Sequence, residues 1–224
     1  MSGRRNQNYS NRLAYIPHFF WFLIPAALFL GVWLGHLPGG ALPVHPDAQS
    51  SLNVYFSPNG GATDELVSLI NNAKTSIEVQ AYSFTSDPII DALIDAKQRG
   101  VAVTIILDRS HLEYRNFRTG KTTMEPSTAL RAFFNAGIPT YIDYRYDIAH
   151  NKIMLIDGST IVTGSFNFSN SAEHYNAENM LVIQNLPALF ARYQDNFDYH
   201  QKTSLLYQPG LTLPTTSNSA DERE

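Results

Sequence analysis

The chain has 224 residues, 44% of them apolar, with a formal net charge of −4 and no cysteine. It can form no disulfide, thiolate metal site or cysteine nucleophile, and its apolar content is that of a folded protein. With Arg4, Arg5 and Arg12 set aside, residues 47–224 carry −7, so any attraction to a phosphate polymer must come from a local basic patch.

No Asp, Glu, Lys or Arg occurs from Leu13 to Pro46. The run Phe19 to Leu37 would rise about 28 Å as a helix, close to the roughly 30 Å of a bilayer core. Trp21 and Trp33 stand near its two ends, where amphipathic rings favour the interface. Residues 13–37 therefore read as a transmembrane signal anchor. The three arginines before it put residues 1–12 in the cytoplasm and the rest at the periplasmic or outer face of the inner (cell) membrane. A cleavable signal peptide ending near Gly39-Gly40-Ala41 is the alternative, and would leave the protein secreted or periplasmic. Residues 38–51, rich in Pro and Gly, read as a linker.

Residues 52–205 then read as one domain. Asn53–Phe56 is a short strand. Leu66, Leu69 and Ile70 make a helical stripe within 64–73, and 76–84 is a strand. Asp87 is the expected N-cap of a helix with Pro88 at its first position, and Gly100 closes it. The apolar run Val101–Leu107 suits a strand covered on both faces. A polar loop, Asp108 to Glu125, leads to a helix over 126–136 and a strand over 138–142. Further on come a strand over 178–183 and a helix from about Pro187 to Gln201. Residues 206–224 read as a disordered tail. This order predicts an α/β fold: a mixed, largely parallel sheet flanked by helices on both faces.

The chemistry concentrates between His150 and Asn167. Two β-prone runs flank Asp157-Gly158, a hairpin signal. With Gly158 and Ser159 as the loop, His150 falls opposite Asn167 and Lys152 opposite Ser165. Residues two apart share a face, so four polar groups converge. Ile153, Leu155, Val162 and Phe166 are left for the core side. An imidazole can be nucleophile or acid–base near neutral pH. Lysine, hydroxyl and amide donors suit phosphoryl oxygens. No metal-type cluster accompanies them, so neither metal nor cofactor is expected. Asp157 lies roughly 23 Å along the strand from His150, which makes it a turn residue. Glu178 in the next strand is the better partner for the imidazole.

His150, Lys152, Asp157, Gly164, Ser165 and Asn167 resemble the motif of the phospholipase D superfamily. The likeness extends through 54–200 and is greatest to its single-motif, bacterial Nuc-type endonucleases. It implies a homodimer with one composite site, in which one His attacks phosphorus, the other protonates the leaving group, and water releases the product. Lys152 and Asn167 would bind phosphate with Ser165 close by. Glu178 would hydrogen-bond the catalytic His, and no metal would be needed. Arg109, Arg115, Arg118 and Lys121, interleaved with Tyr114 and Phe117, are candidate nucleic-acid contacts. The reading is a metal-independent phosphodiesterase, first an endonuclease acting on DNA or RNA. A lipid phosphodiesterase acting on phospholipid headgroups is the alternative. A non-catalytic nucleic-acid or envelope-binding protein is the lesser one.

Overall fold

The structure, a computed structural model, describes residues 49–115 and 118–214. The expected anchor at 13–37 lies outside them, as do residues 215–224. Among the described residues no helix is long and apolar enough to cross a membrane.

Strand β1 (Ser51–Phe56) leads through a turn to α1 (Ala62–Asn72) and β2 (Ser76–Ala81). Helix α2 (Asp87–Gln98) and β3 (Ala102–Asp108) follow. The predicted polar loop contains a 3-10 turn (Arg109–His111) and a small hairpin, β4 (Glu113–Arg115) with β5 (Thr122–Met124). Then come α3 (Thr128–Asn135), β6 (Thr140–Asp143), β7 (Lys152–Ile156) and β8 (Thr160–Gly164). Helix α4 (Asn170–His174), β9 (Asn179–Gln184), α5 (Pro187–Thr203) and β10 (Leu205–Leu206) complete the order. Helix α2 starts one residue earlier than predicted: Ser86 is its N-cap and Asp87 lies inside the helix.

The main sheet runs β1-β9-β8-β7-β2-β3-β6-β10. It is mixed, as expected, but not largely parallel. Only β2–β3 and β3–β6 pair in parallel, because only α2 and α3 serve as crossovers. The other five pairings are antiparallel. The larger core, with Leu66, Leu93, Phe133, Met154 and Phe168, gathers the buried faces of α1 to α4 against one side of the sheet. The smaller core, with Ile153, Leu155, Ile161, Ile183 and Phe197, lies on the α5 side. The chain also stays in the fold beyond 205. Leu205 and Leu206 pair with β6, and Tyr207 is buried. These apolar residues cover a sheet edge, which a disordered tail starting at 206 would leave bare.

The hairpin register differs from the predicted one by a residue. Ile156 faces Thr160 and Ile153 faces Thr163, so three residues, Asp157 to Ser159, span the turn. The left-handed positions are Asp157 (φ 51°) and Gly158 (φ 69°), and Ser159 N–H donates to the Ile156 carbonyl at 3.1 Å. A one-residue slip exchanges the faces of a strand. Val162 and Phe166 therefore join the larger core, while Ile153 and Leu155 face α5. Lys152 shares its face with buried Met154 and Ile156, so the hairpin is core on both sides and polar only at its end.

Asp157 explains the slip. Its carboxylate accepts from the backbone N–H groups of Lys74 (2.8 Å), Thr75 (2.7 Å) and Ser76 (3.0 Å), and from the Thr75 hydroxyl (2.9 Å). Its own N–H donates to the Ser76 carbonyl. Partial burial would raise its pKa, but these four donors outweigh burial and hold the carboxyl below its usual range. A depressed carboxyl contributes stability above the unfolded pKa of about 3.9, and loses it as pH falls through the folded value. Asp157→Ala should therefore cost about 2–4 kcal/mol near pH 7. The deficit against wild type should shrink below about pH 4, as read by denaturant melts, while the folded fraction keeps its turnover.

Candidate active site

Tyr82, just after β2, organises the site. Its backbone N–H donates to the Asn151 carbonyl at 3.0 Å. Its own carbonyl accepts from His111 Nε2 at 3.1 Å. Nε2 thus carries the proton, and Nδ1 accepts from the Ser127 hydroxyl at 2.8 Å. Burial holds the His111 pKa below its usual value, consistent with this neutral form. The front of the Tyr82 ring serves the motif. The His150 ring lies 4.6 Å away, tilted by 48°, and Lys152 Nζ sits 5.1 Å from the ring centroid, within cation–π range.

His150 is exposed and lies just before β7, with Ala149 held in place from below. Asp108, 2% exposed at the end of β3, accepts from Ala149 N–H at 2.7 Å and from Ser110 N–H at 2.9 Å. The backbone entering the histidine is therefore tied to the sheet, while no hydrogen bond among the described residues engages the ring nitrogens. Lys152, 6% exposed, donates to the His150 carbonyl at 2.9 Å. Burial lowers its pKa from the usual lysine value, and the nearby carboxylates of Glu178 and Asp108 oppose that shift. The ammonium has further N–H bonds to offer an anion.

The other motif residues reach the site by a different route from the predicted cross-strand pairing. Strand β8 ends at Gly164, so neither Ser165 nor Asn167 lies in the β7–β8 ladder. Ser165 N–H donates to the Asn179 carbonyl (3.0 Å) instead, and its hydroxyl accepts from Asn179 N–H at 3.0 Å. Gly164 (φ 147°) makes this possible, because a Cβ there would stand 2.3 Å from the Asn179 carbonyl oxygen. Asn167 Oδ1 is buried without a hydrogen-bond partner, a cost tolerated where a ligand supplies the missing group. The Glu178 carboxylate accepts from Asn176 at 3.1 Å. Among the described residues no hydrogen bond or ion pair joins it to His150 of the same chain.

His150, Asn151, Lys152 and Gly164 open onto a cleft of about 510 Å³, whose other wall is α5, with Leu189, Arg192, Tyr193 and Asn196. The expected basic loop is placed as follows. The Arg109 guanidinium is half-buried and donates to Glu113 (2.9 Å from Nε) and to the Tyr144 carbonyl. Arg115 closes β4. Arg118 and Lys121 are exposed. Among the described residues no three His, Cys, Asp or Glu side chains could together hold a metal ion. Sequence reasoning missed Tyr82 and Asp108, although both stand at carboxyl ends of parallel strands, where sites gather in α/β sheets. Arg192, Tyr193 and Asn196 carried no comparable signal.

The family model described as "Cardiolipin synthase, PLD-like domain" matches residues 66–201. A phospholipase D of Rickettsia prowazekii is 39% identical over 137 residues, covering 61% of this chain and 62% of the relative. The match thus spans under two thirds of that relative's length. A mitochondrial cardiolipin hydrolase of Chlamydomonas reinhardtii is 26% identical over 161 residues, covering 72% of this chain and 63% of its own. Among solved structures, the phospholipase D family member Nuc from Salmonella typhimurium superposes with a TM-score of 0.62 at 36% identity. It covers 71% of this chain and 99% of Nuc.

A lysine binds an anion only while protonated, and burial makes Lys152 lose its proton below the free-lysine value of about 10.4. The alkaline fall in kcat/KM should begin at a lower pH than that, and its absence from Lys152→Ala would identify the group. A limb at or above the free-lysine value would contradict this assignment.

Proposed function

The chain belongs to the phospholipase D-like family, and from that premise we propose that it is a phosphodiesterase that cleaves nucleic acid strands without a metal. The observation that carries the reading is the pairing of His150 with Lys152 on the Tyr82 ring at the mouth of an open cleft. A nucleophile needs an unengaged ring nitrogen and room for phosphorus, and His150 has both. The developing charge on the equatorial oxygens needs fixed donors. Lys152 supplies one, and the likeness to the family motif assigns the Asn167 amide nitrogen as a second.

The reaction has two displacements. The imidazole attacks phosphorus, a P–N bond forms and the P–O bond to the leaving alkoxide breaks. The alkoxide must gain a proton, and one chain has one motif histidine. A second copy related by a two-fold axis would bring the second imidazole. The Glu178 carboxylate, which does not reach the imidazole of its own chain, is then free to orient that of the other copy. Water next attacks the phosphohistidine, giving its proton to the second imidazole and restoring the first.

A lipid substrate is the second reading, favoured by the names of relatives, a phospholipase D and a mitochondrial cardiolipin hydrolase. An anchor over residues 13–37 would hold such a site near headgroups and outside the cytoplasm.

The test is a panel of single- and double-stranded DNA and RNA with phospholipid vesicles, each with and without EDTA, using the fragment from about residue 48. Strand cleavage that survives EDTA supports the proposal. Headgroup release with no strand cleavage replaces it by the lipid reading, and cleavage abolished by EDTA overturns the metal-free mechanism. His150→Ala should abolish turnover and Lys152→Ala should remove most of it. Substantial turnover in His150→Ala would sink the nucleophile assignment.

A further inference from the structure

The cleft is larger than one phosphoryl group needs. At about 510 Å³ it is the size of a small-molecule site, while the motif residues line only one wall. Arg192 and Tyr193 stand on the other wall, on α5. No acid lines the cleft, so the Arg192 guanidinium makes its α5 wall a local positive spot on a domain whose overall charge is negative, while the Lys152 ammonium lies on the other face of β7 and His150 stands at the rim between them.

Helix α5 holds this wall rigidly. Leu189, Phe190 and Tyr193 pack on the smaller core. Asn196, one turn beyond Arg192, donates from Nδ2 to Gln80 Oε1 at 3.3 Å, which ties the helix to β2 two residues before Tyr82. Arg192 itself is exposed, and no hydrogen bond or ion pair among the described residues engages it. Asp195, three positions along the helix, is the nearest acid in sequence and makes no ion pair with it. A guanidinium on a rigid helix, facing a cleft and not engaged by a carboxylate, is suited to bidentate capture of a phosphate. Tyr193 beside it offers a flat aromatic surface of the kind on which bases stack.

We propose that the α5 wall is a second phosphate subsite, in which Arg192 binds the phosphodiester next to the scissile one in a single nucleic-acid strand and Tyr193 receives the intervening base. The proposal rests on the phosphodiesterase reading for the position of the scissile phosphate, and it names the substrate as a polymer with regularly spaced charges. A strand meets both walls at once, whereas a lipid with one phosphate engages only the motif side.

Binding can be read without cleavage, so the subsite and the nuclease reading can fail separately. The full-length His150→Ala protein and His150→Ala/Arg192→Ala would be titrated with a fluorescent single-stranded oligonucleotide in EDTA at several salt concentrations. The second change should weaken binding about tenfold and reduce the slope of log Kd against log salt by about one. Arg192→Lys in the same background should restore most of the slope but less of the affinity, since a lysine keeps the charge and loses the fork. Tyr193→Leu should weaken binding with the slope unchanged. An Arg192→Ala change that leaves both affinity and slope intact overturns the subsite, as does a loss that Arg192→Lys does not rescue. Arg192-dependent binding only to vesicles of a two-phosphate lipid, with none to the strand, overturns the strand assignment. Arg192-dependent strand binding by a protein whose wild type cuts no strand would keep the subsite and reject the nuclease.

Discussion

The site exists because β7 lies antiparallel against β2 in one register, with Ile156 beside Ile77 and Lys152 beside Ala81. A strand among apolar neighbours can slide by two residues and still bury the same face. The Asp157 carboxylate removes that freedom by accepting from three consecutive backbone N–H groups at the entry to β2. With the turn held there, five residues of strand deliver Lys152 to the Tyr82 ring at the opposite end of the sheet. One residue of slip would put Lys152 on the α5 side. The aspartate thus governs the chemistry from the far end of a strand, without touching it.

Lys152 shows what the site asks of the fold. An ammonium with little water around it is costly unless its protons are bonded. Here a carbonyl accepts one N–H, an aromatic face supports the charge, and the carboxylates of Glu178 and Asp108 lie near enough to favour the protonated form. An arriving phosphate would complete the set. Asn167 Oδ1, buried and unpartnered, is a different case, because an amide oxygen is an acceptor that only a donor can satisfy. An ammonium held short of full satisfaction is a reason to expect tight binding of an anion at Lys152, and the unpartnered Asn167 oxygen a reason to expect modest stability of the empty site.

Much of this was legible in the sequence. The motif residues, the turn role of Asp157 and most elements followed from period, turn chemistry and caps. The hairpin register did not, because the Asp157-Gly158 signal leaves open which two residues take the left-handed positions. The side-chain bonds to residues 74–76 that decide it are about 80 positions away in sequence. The sheet's parallel character was overestimated because β7, β8 and β9 follow one another without crossover helices. Tyr82 and its bond to His111 escaped because a tyrosine and a histidine in separate segments carry no spacing signal. The bond between them is purely tertiary.

Asp108 has one oxygen on Ser110, where the basic loop begins, and the other on Ala149, the residue before His150, the proposed nucleophile. The loop and the histidine are thus hung from a single peg at the end of β3, and everything beyond the peg is mechanically downstream of it. Residues beyond His111, up to Glu125, can lengthen, shorten or change charge without moving the imidazole, whereas His111 itself is bonded to Tyr82. Substrate preference and chemistry can therefore evolve as separate modules: the loop can be rewritten for a new ligand while the reacting atoms stay where they are.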